Sequence, residues 1–305
     1  MDFSLLHQLC EINATSGNEK GIRDFILDFV ENNASKWKVR PQVLSGEGFQ
    51  DCIMLVFGTP RTAVFTHMDS VGFTAAYQNE VVRIGSPAVK SGTRVVGKDA
   101  FGTISCELEV NDEGAITHNF PRGIARGTEL VFACDFRETD DFIQTCYLDN
   151  RAGIFSALKL AETLENGVLV FSCWEEIGGG SVPYLAKYLY EDLQVRQALI
   201  ADITWVTSGV THGEGVTISL RDHNIPRKSY LQKILHIAEQ SGIAYQLEVE
   251  SSGSSDGREL QQSPYPIDWC FIGAPEDNVH SPDEIIHKGD LEAMIKLYQV
   301  LLKEL

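Results

Sequence analysis

Two histidines and several carboxylates stand in this sequence where apolar segments end. His67 follows the apolar run of residues 62–66, and Glu175 and Glu176 follow the run of residues 168–174. Five short segments carry such side chains after a strand-like run or at a strand-to-helix junction: residues 66–70, 148–151, 174–178, 201–204 and 278–282. In open α/β sheets, ligands bind outside the carboxyl ends of the strands. We therefore expect these segments to meet at one edge of a sheet.

The side chains in these segments form a coherent set of metal ligands. The set contains two imidazoles and three carboxylates: His67, Asp149, Glu176, Asp202 and His280. Zinc accepts nitrogen and oxygen ligands, and its catalytic sites keep a position open for water. Two ions about 3.5–4 Å apart can activate a water and polarise a scissile carbonyl. The sequence therefore predicts a site for two divalent ions, with one carboxylate bridging them.

Hydrolysis at such a site also needs a carboxylate that moves protons. A base outside the ligand set must take a proton from the water and pass it to the leaving amine. The adjacent pair suits this if Glu175 faces the water and Glu176 faces the metal. Asp69, two residues after His67, could orient that imidazole.

Each of these residues also has a simpler interpretation. His67 alone could be a polar loop residue, a Glu-Glu pair is usually a solvated surface feature, and Asp149 could cap a helix. The pattern as a whole is harder to dismiss, because Trp174 places the acidic pair at the end of a buried strand. Burial of two adjacent carboxylates without cations would be costly.

Composition narrows the class of protein. The chain has 305 residues, 43% of them hydrophobic, and a formal net charge of -18. An acidic surface argues against nucleic acid as a partner. No apolar run approaches the roughly 20 residues of a membrane helix, and the first residues do not resemble a signal peptide. Seven scattered cysteines without a CxxC pair favour free thiols and a cytoplasmic location.

The pattern of apolar residues predicts an α/β fold. Strands are expected over residues 52–57, 62–66, 168–174, 198–204, 216–220, 245–249 and 269–272, and helices over residues 151–164, 183–190, 228–240 and 290–303. This alternation predicts a mostly parallel central sheet flanked by helices. Residues 71–145 instead contain short alternating segments separated by Gly, Pro, Asn and Asp, which is typical of a small β unit. We predict a catalytic domain of residues 1–70 plus 146–305 and an inserted, β-barrel-like domain of residues 71–145.

Taken in order, these motifs resemble those of one family. The elements His-x-Asp, Leu-Asp-Asn-Arg, Glu-Glu-Ile-Gly, Ile-Ala-Asp and His-Ser-Pro-x-Glu are similar to those of the co-catalytic zinc exopeptidases. More narrowly, the sequence resembles the tetrahedral aminopeptidases, also called glutamyl or deblocking aminopeptidases and sometimes labelled endoglucanases or cellulases. The resemblance runs from a Ser-Gly-x-Glu element at residues 16–19 to Glu284. The insert also lies where this family has its extra domain.

The resemblance implies a role for each residue. His67, Asp149 and Asp202 would bind one metal ion, and Asp149, Glu176 and His280 would bind the other, with Asp149 as the bridge. Glu175 would be the general base and Asp69 would orient His67. Residues 253–258 resemble a Gly-Thr-Asp-Ala loop near the site, so Asp256 is a candidate substrate-binding residue, although a polar turn is an equal alternative.

This sequence differs from the family pattern in two places, which affect the expected assembly and the expected substrate preference. The insert is shorter than in most members, so a homo-oligomer is expected but a full dodecamer is open. Near the last histidine the chain has Asp277-Asn278-Val279 where the family often has an aromatic residue and an arginine, which could alter the substrate pocket.

We conclude that the sequence predicts a metallo-aminopeptidase that releases N-terminal residues from peptides with a free amine. Attack would come from a water between two divalent ions, zinc first and cobalt or manganese as alternatives, with Glu175 as the base. The alternatives are a metal-dependent amide hydrolase or deacylase acting on small substrates, and a non-catalytic, metal-stabilised assembly protein. A glycosidase would need two carboxylates flanking a sugar cleft, which does not match a pattern with two histidines.

Overall fold

Apolar runs of strand length alternate with amphipathic stretches along most of the chain. In the computed structural model, which describes residues 1–305, they form seven helices and seventeen strands. The helices are α1 (Ser4–Cys10), α2 (Lys20–Asn33), α3 (Leu148–Ala161), α4 (Val182–Glu191), α5 (Lys228–Ser241), α6 (Asp256–Gln262) and α7 (Lys288–Glu304). The strands up to residue 118 are β1 (Gln42–Gly46), β2 (Gln50–Phe57), β3 (Thr62–His67), β4 (Gly72–Ala75), β5 (Val81–Ile84), β6 (Thr93–Asp99), β7 (Gly102–Val110) and β8 (Ile116–His118). The remaining strands are β9 (Glu129–Phe132), β10 (Arg137–Glu138), β11 (Phe142–Thr145), β12 (Gly167–Ser172), β13 (Gln197–Trp205), β14 (Val216–Arg221), β15 (Tyr245–Val249), β16 (Asp268–Asp277) and β17 (Glu284–His287).

The larger sheet has eleven strands and a parallel centre. Its main path runs β1-β2-β12-β3-β13-β16-β17-β11-β10, and β14 joins β16 and β15 beside this path. The pairs β12–β3, β3–β13 and β13–β16 are parallel, whereas the pairs along the rest of the main path are antiparallel. Every residue of β3 and of β12 is buried, as expected for strands covered on both faces.

Helices cover this sheet and complete one apolar core. Helix α3 packs against β3 and β13 and contacts α1 and α7, while α5 packs on α7 and α4 packs on α6. The buried apolar residues of these elements form a single cluster of 69 residues, so the large sheet and its helices fold as one unit. The predicted α/β architecture is confirmed, with parallel pairing concentrated in the four central strands.

The second sheet has six antiparallel strands in the order β5-β4-β9-β6-β7-β8. An isolated bridge between Glu80 and Thr117 brings its two ends together, so the sheet is nearly closed into a barrel with its own cluster of 15 buried residues. Strands β10 and β11 lie within the predicted insert of residues 71–145 but belong to the large sheet, where β11 pairs with β17 and β10 pairs with β11. The exact division of the chain into domains stays a prediction.

The helices of the fold are too short or too polar to cross a membrane.

Candidate metal centre

The carboxyl ends of neighbouring parallel strands carry the residues singled out by the sequence. His67 is the last residue of β3, and the pairing of Ile200 with Phe65 places Asp202 on β13 level with it. Glu175 and Glu176 follow β12 in a 3-10 turn, Glu175–Ile177. Because β12, β3 and β13 are adjacent, these side chains meet at one edge of the sheet, as expected.

The backbone around the centre adopts conformations that side chains usually avoid. Tyr147, Trp174 and His280 have left-handed φ angles of 67°, 64° and 61°. Such angles cost L-residues about 1–2 kcal/mol and are concentrated at functional sites. They turn the chain sharply just before Asp149 and Glu175 and at His280 itself.

Asp149 lies between the two histidines. His67 Nε2 is 3.1 Å from Asp149 Oδ1, and His280 Nε2 is 3.1 Å from Asp149 Oδ2. Each oxygen of one carboxylate therefore faces a different imidazole. This is the arrangement that a carboxylate needs in order to bridge two ions.

The two remaining carboxylates complete a group around each histidine. Asp202 Oδ2 lies 3.4 Å from His67 Nε2, and Glu176 Oε2 lies 3.3 Å from His280 Nε2. The potential ligand atoms of His67, Asp149 and Glu176 all lie within 4.8 Å of one another. The structure thus brings together all five residues that the sequence singled out as ligands, in two groups that share Asp149.

The donor set fits divalent cations. Oε1 of Glu176 is buried and accepts no hydrogen bond, and the ion pairs of Asp149, Asp202 and Glu176 involve only histidines. Burial raises the pKa of Glu176, and the neighbouring Asp149 raises it further. Burial opposes protonation of His67, but Asp202, Asp149 and Asp69 outweigh it and raise its pKa. Bound cations would replace these protons and compensate the buried carboxylates.

Asp69 connects one histidine to the acidic pair. His67 Nδ1 lies 3.1 Å from the backbone carbonyl oxygen of Asp69 and 3.5 Å from its Oδ1, so Nε2 points toward Asp149. The Asp69 carboxylate accepts the backbone N–H groups of Glu175 at 3.0 Å and of Glu176 at 3.1 Å. Ser16 donates to the same carboxylate at 2.6 Å. Asp69 can therefore position three residues of the centre at once.

Glu175 faces the cavity above the centre. It lines this cavity together with Asp149, Asp202 and His280. Burial raises the pKa of the Glu175 carboxyl well above its usual range, and Asp202 adds to this effect. A carboxylate with raised proton affinity beside a cavity can accept a proton from a group that lies in that cavity.

Asp256, the candidate substrate-binding residue, lines a small pocket together with Glu175. It is 1% exposed, and its Oδ2 accepts the Ser172 hydroxyl, while its Oδ1 is buried without a hydrogen bond. Burial raises its pKa to about 7. This small pocket is separate from the main cavity, so a direct contact with substrate stays a prediction.

Several residues that hold the centre were not assigned roles from the sequence. Ser255 donates to Asp202 Oδ2 at 2.6 Å, and Ser86, from the second sheet's loops, lies 2.8 Å from His280 Nδ1. Glu284 Oε2 accepts the Asp149 N–H at 3.3 Å. Only Glu284 stands in a motif noticed in the sequence; serines are too common for their type or spacing to reveal such contacts.

The chain is similar to known aminopeptidases in sequence and in fold. The model of the M42 glutamyl aminopeptidase family matches residues 112–297. A protein of Acetivibrio thermocellus, named as an aminopeptidase, is 25% identical over 97% of this chain and 96% of its own. The structure of an aminopeptidase from Desulfurococcus kamchatkensis has a TM-score of 0.85 at 21% identity, covering 99% of this chain and 94% of that one. The Pyrococcus horikoshii TET1 peptidase, which can assemble into a tetrahedron or a large octahedral shell, has a TM-score of 0.82 at 20% identity, with 99% of both chains covered.

Proposed function

The chain belongs to the M42 glutamyl aminopeptidase family and hydrolyses peptide bonds, and from that premise we propose that it removes N-terminal residues from peptides at a centre for two divalent metal ions. The observation that carries the proposal is the position of Asp149, whose two oxygens each lie 3.1 Å from a different histidine. A single-ion site would not need a carboxylate shared in this way.

Each ion has a separate ligand group in this proposal. His67 and Asp202 would hold one ion, Glu176 and His280 would hold the other, and Asp149 would belong to both ligand groups. When bound, the pair supplies a Lewis acid that polarises the scissile carbonyl and lowers the pKa of water. Zinc suits this mixture of imidazole and carboxylate ligands, and cobalt and manganese are the alternatives.

Glu175 performs the proton transfers. It takes the proton that the attacking water loses and delivers it to the nitrogen of the leaving peptide. Its half-buried position at the cavity wall limits the exchange of that proton with bulk solvent. Asp69 keeps the base in place, because its carboxylate holds the Glu175 backbone N–H.

Assembly and location complete the proposal. We propose a homo-oligomer, supported by the shells that the Pyrococcus horikoshii TET1 peptidase forms. The second sheet exposes large aromatic side chains, Tyr77 at 65% and Phe101 at 78%, and exposed aromatic residues are frequent at subunit contacts. All seven cysteines are free thiols, which supports a cytoplasmic location.

The test compares free and blocked substrates at known metal content. The protein is stripped of metal and refilled with zinc, cobalt or manganese, and its ions are counted by mass spectrometry. We expect two ions per chain and metal-dependent cleavage of aminoacyl amides and short peptides with a free amine. Cleavage confined to N-acetylated substrates would show a deacylase instead, and stable binding of two ions without hydrolysis of any substrate would favour a metal-stabilised assembly protein.

A further inference from the structure

The cavity above the metal centre has a second acidic region that the proposed chemistry does not use. Beyond the centre, its wall includes Asp222, Glu248 and Glu250, which lie on or after strands β14 and β15. Strand β14 pairs with β16, so this wall is fixed to the sheet that carries the centre. Carboxylates in the wall of a substrate cavity attract cationic groups and repel anionic groups of the substrate that lie against them.

Glu248 is the most enclosed carboxylate of this wall. It is 5% exposed, and one of its oxygens accepts the hydroxyl of Thr204. The charges that act on it most strongly, those of Glu250 and Asp222, have the same sign as its own. Arg221 is close in the chain, but its Nε donates to the backbone carbonyls of Asp222 and Glu250. This enclosed carboxylate therefore has no cationic partner in the protein.

The spacing along β13 relates this wall to the centre. Thr204, which binds Glu248, is two residues after Asp202 on the same strand. Two residues of a strand span about 7 Å, and their side chains point to the same face. A substrate α-amine held at the metal centre would thus lie about one long side chain from Glu248. The four-carbon stem of lysine and the stem of arginine cover such a span.

The same cavity also offers apolar surface to a long side chain. Trp205 and Phe271 belong to the same cavity wall, and Trp205 is 43% exposed. Long cationic side chains bury their methylene stems on apolar surface while the charged end reaches a polar group. Aromatic faces also attract ammonium and guanidinium groups. A neutral aliphatic side chain would use the aromatic wall but would leave Glu248 unpaired.

We propose that this cavity selects substrates whose N-terminal residue is lysine or arginine, with Glu248 as the group that receives the cationic end and Glu250 and Asp222 as its electrostatic support. This inference rests on the proposed aminopeptidase function, since it assigns the first side chain of the substrate to the cavity. An acidic N-terminal side chain would meet like charges here and is rejected.

The test is a comparison of matched substrates. We would measure kcat/KM for lysyl, norleucyl, arginyl, citrullyl, leucyl and glutamyl p-nitroanilides with the metal-loaded enzyme. Each neutral analogue has nearly the shape of its cationic partner but lacks the charge. We expect the lysyl and arginyl substrates to exceed their analogues at least about 10-fold, and the glutamyl substrate to be the slowest of the set.

The variants Glu248→Gln and Glu250→Gln then show which carboxylate is responsible for the preference for a cationic side chain. Glu248→Gln should remove most of the lysine-to-norleucine preference, because it should lower kcat/KM for the lysyl substrate far more than kcat/KM for the norleucyl substrate. Glu250→Gln, at a more exposed position, should reduce the preference partially and serves if the first variant does not fold. Glu239→Gln, an exposed change of the same type on α5, should leave the preference unchanged.

The outcomes separate this inference from the function on which it rests. Hydrolysis of free-amine substrates without a preference for lysine over norleucine would overturn the inference and leave the aminopeptidase proposal intact. Failure to hydrolyse any free-amine substrate would overturn both. If Glu248→Gln lowered the number of bound metal ions instead of the lysine preference, the wall would be a cation site, and the inference would be wrong.

Discussion

The carboxylate of Asp69 holds the backbone of Glu175: its Oδ1 accepts the Glu175 N–H at 3.0 Å. The same carboxylate lies 3.5 Å from His67 Nδ1. One buried side chain therefore sets both the direction of an imidazole in the metal centre and the position of the proposed base. In the proposed reaction, Asp69 would therefore connect metal binding with proton transfer, although it does not line the cavity itself.

Replacement of Asp69 tests this double role. In Asp69→Asn, the amide group cannot accept all the N–H groups that converge on the carboxylate, and it also loses the negative charge beside His67. We expect metal affinity or kcat to fall by about 10–100-fold, as for other residues that orient ligands. Metal titration and kcat with a peptide substrate measure the two effects. The exposed Asp28→Asn is the matched control; an Asp69→Asn enzyme with the metal affinity and kcat of wild type would contradict the assignment.

Ser255 should support the centre from a different side. Its hydroxyl donates to Asp202 Oδ2 at 2.6 Å and is 5% exposed. Ser255→Ala would remove this bond and free Asp202 to turn, so we expect about 10-fold weaker binding of one ion and little change in the other. The adjacent Ser254→Ala lines the cavity without such a bond and should bind both ions as wild type does. Equal affinities for the two variants would count against the role of Ser255.

Gly153 allows α3 to approach the strands that carry the centre. A Cβ at this position would lie 2.3 Å from the carbonyl oxygen of Ala201 and 2.5 Å from Thr66 Oγ1. Gly153→Ala should therefore push the helix away and destabilise the fold by about 1–3 kcal/mol. Chemical denaturation measures this loss. Gly209→Ala, where no atom lies within 4 Å of the new Cβ, is the control, and the prediction fails if the two variants are equally stable.

Glu19 should make stability depend on pH. It is 1% exposed, and burial raises the pKa of its carboxyl to about 7, although it accepts the N–H groups of Gly17 and Trp174. The folded state then holds a proton that the unfolded chain loses near pH 4.5, so stability from this group is present below about pH 4.5 and is lost as pH rises to about 7. The shift corresponds to about 3 kcal/mol.

Glu19→Gln removes this dependence. We expect the variant to gain stability relative to wild type between pH 5 and pH 7.5, as measured by urea unfolding at both values. A difference between the two proteins that stays constant over this interval, or that changes in the opposite direction, would show that Glu19 titrates normally in the folded state.

The sequence predicted the candidate site best where a residue type that can bind metal lies at the end of an apolar, strand-like run. His67 ends β3, Asp202 lies in the C-terminal half of β13, and the acidic pair follows β12. Parallel pairing brings the C-terminal ends of these strands to one edge of the sheet. The same logic could not place Asp149 between two histidines, because that contact depends on the left-handed turn at Tyr147 and on the path of the chain after β16. The antiparallel outer strands of the large sheet were also not predicted, since single strands carry no sign of their direction.

The contacts that serine side chains make with the centre could not be predicted from the sequence for a different reason. Ser86 belongs to the loops of the second sheet and Ser255 precedes α6, yet each supports a residue of the centre. Nothing in the type or spacing of a serine distinguishes such a position from a surface turn. The acidic wall of Glu248 and Glu250 was also not predicted. The alternation of polar and apolar residues on β15 does not show that one face of this strand lines a cavity.

The most direct test of the central claim is the kcat of Glu175→Gln, measured with both metal positions filled. If Glu175 is the general base at a two-metal centre, the variant will keep two ions per chain and a KM near that of wild type, while kcat falls by about 10²–10⁴-fold. A variant that binds both ions and retains most of the wild-type kcat would contradict the mechanism proposed for this enzyme.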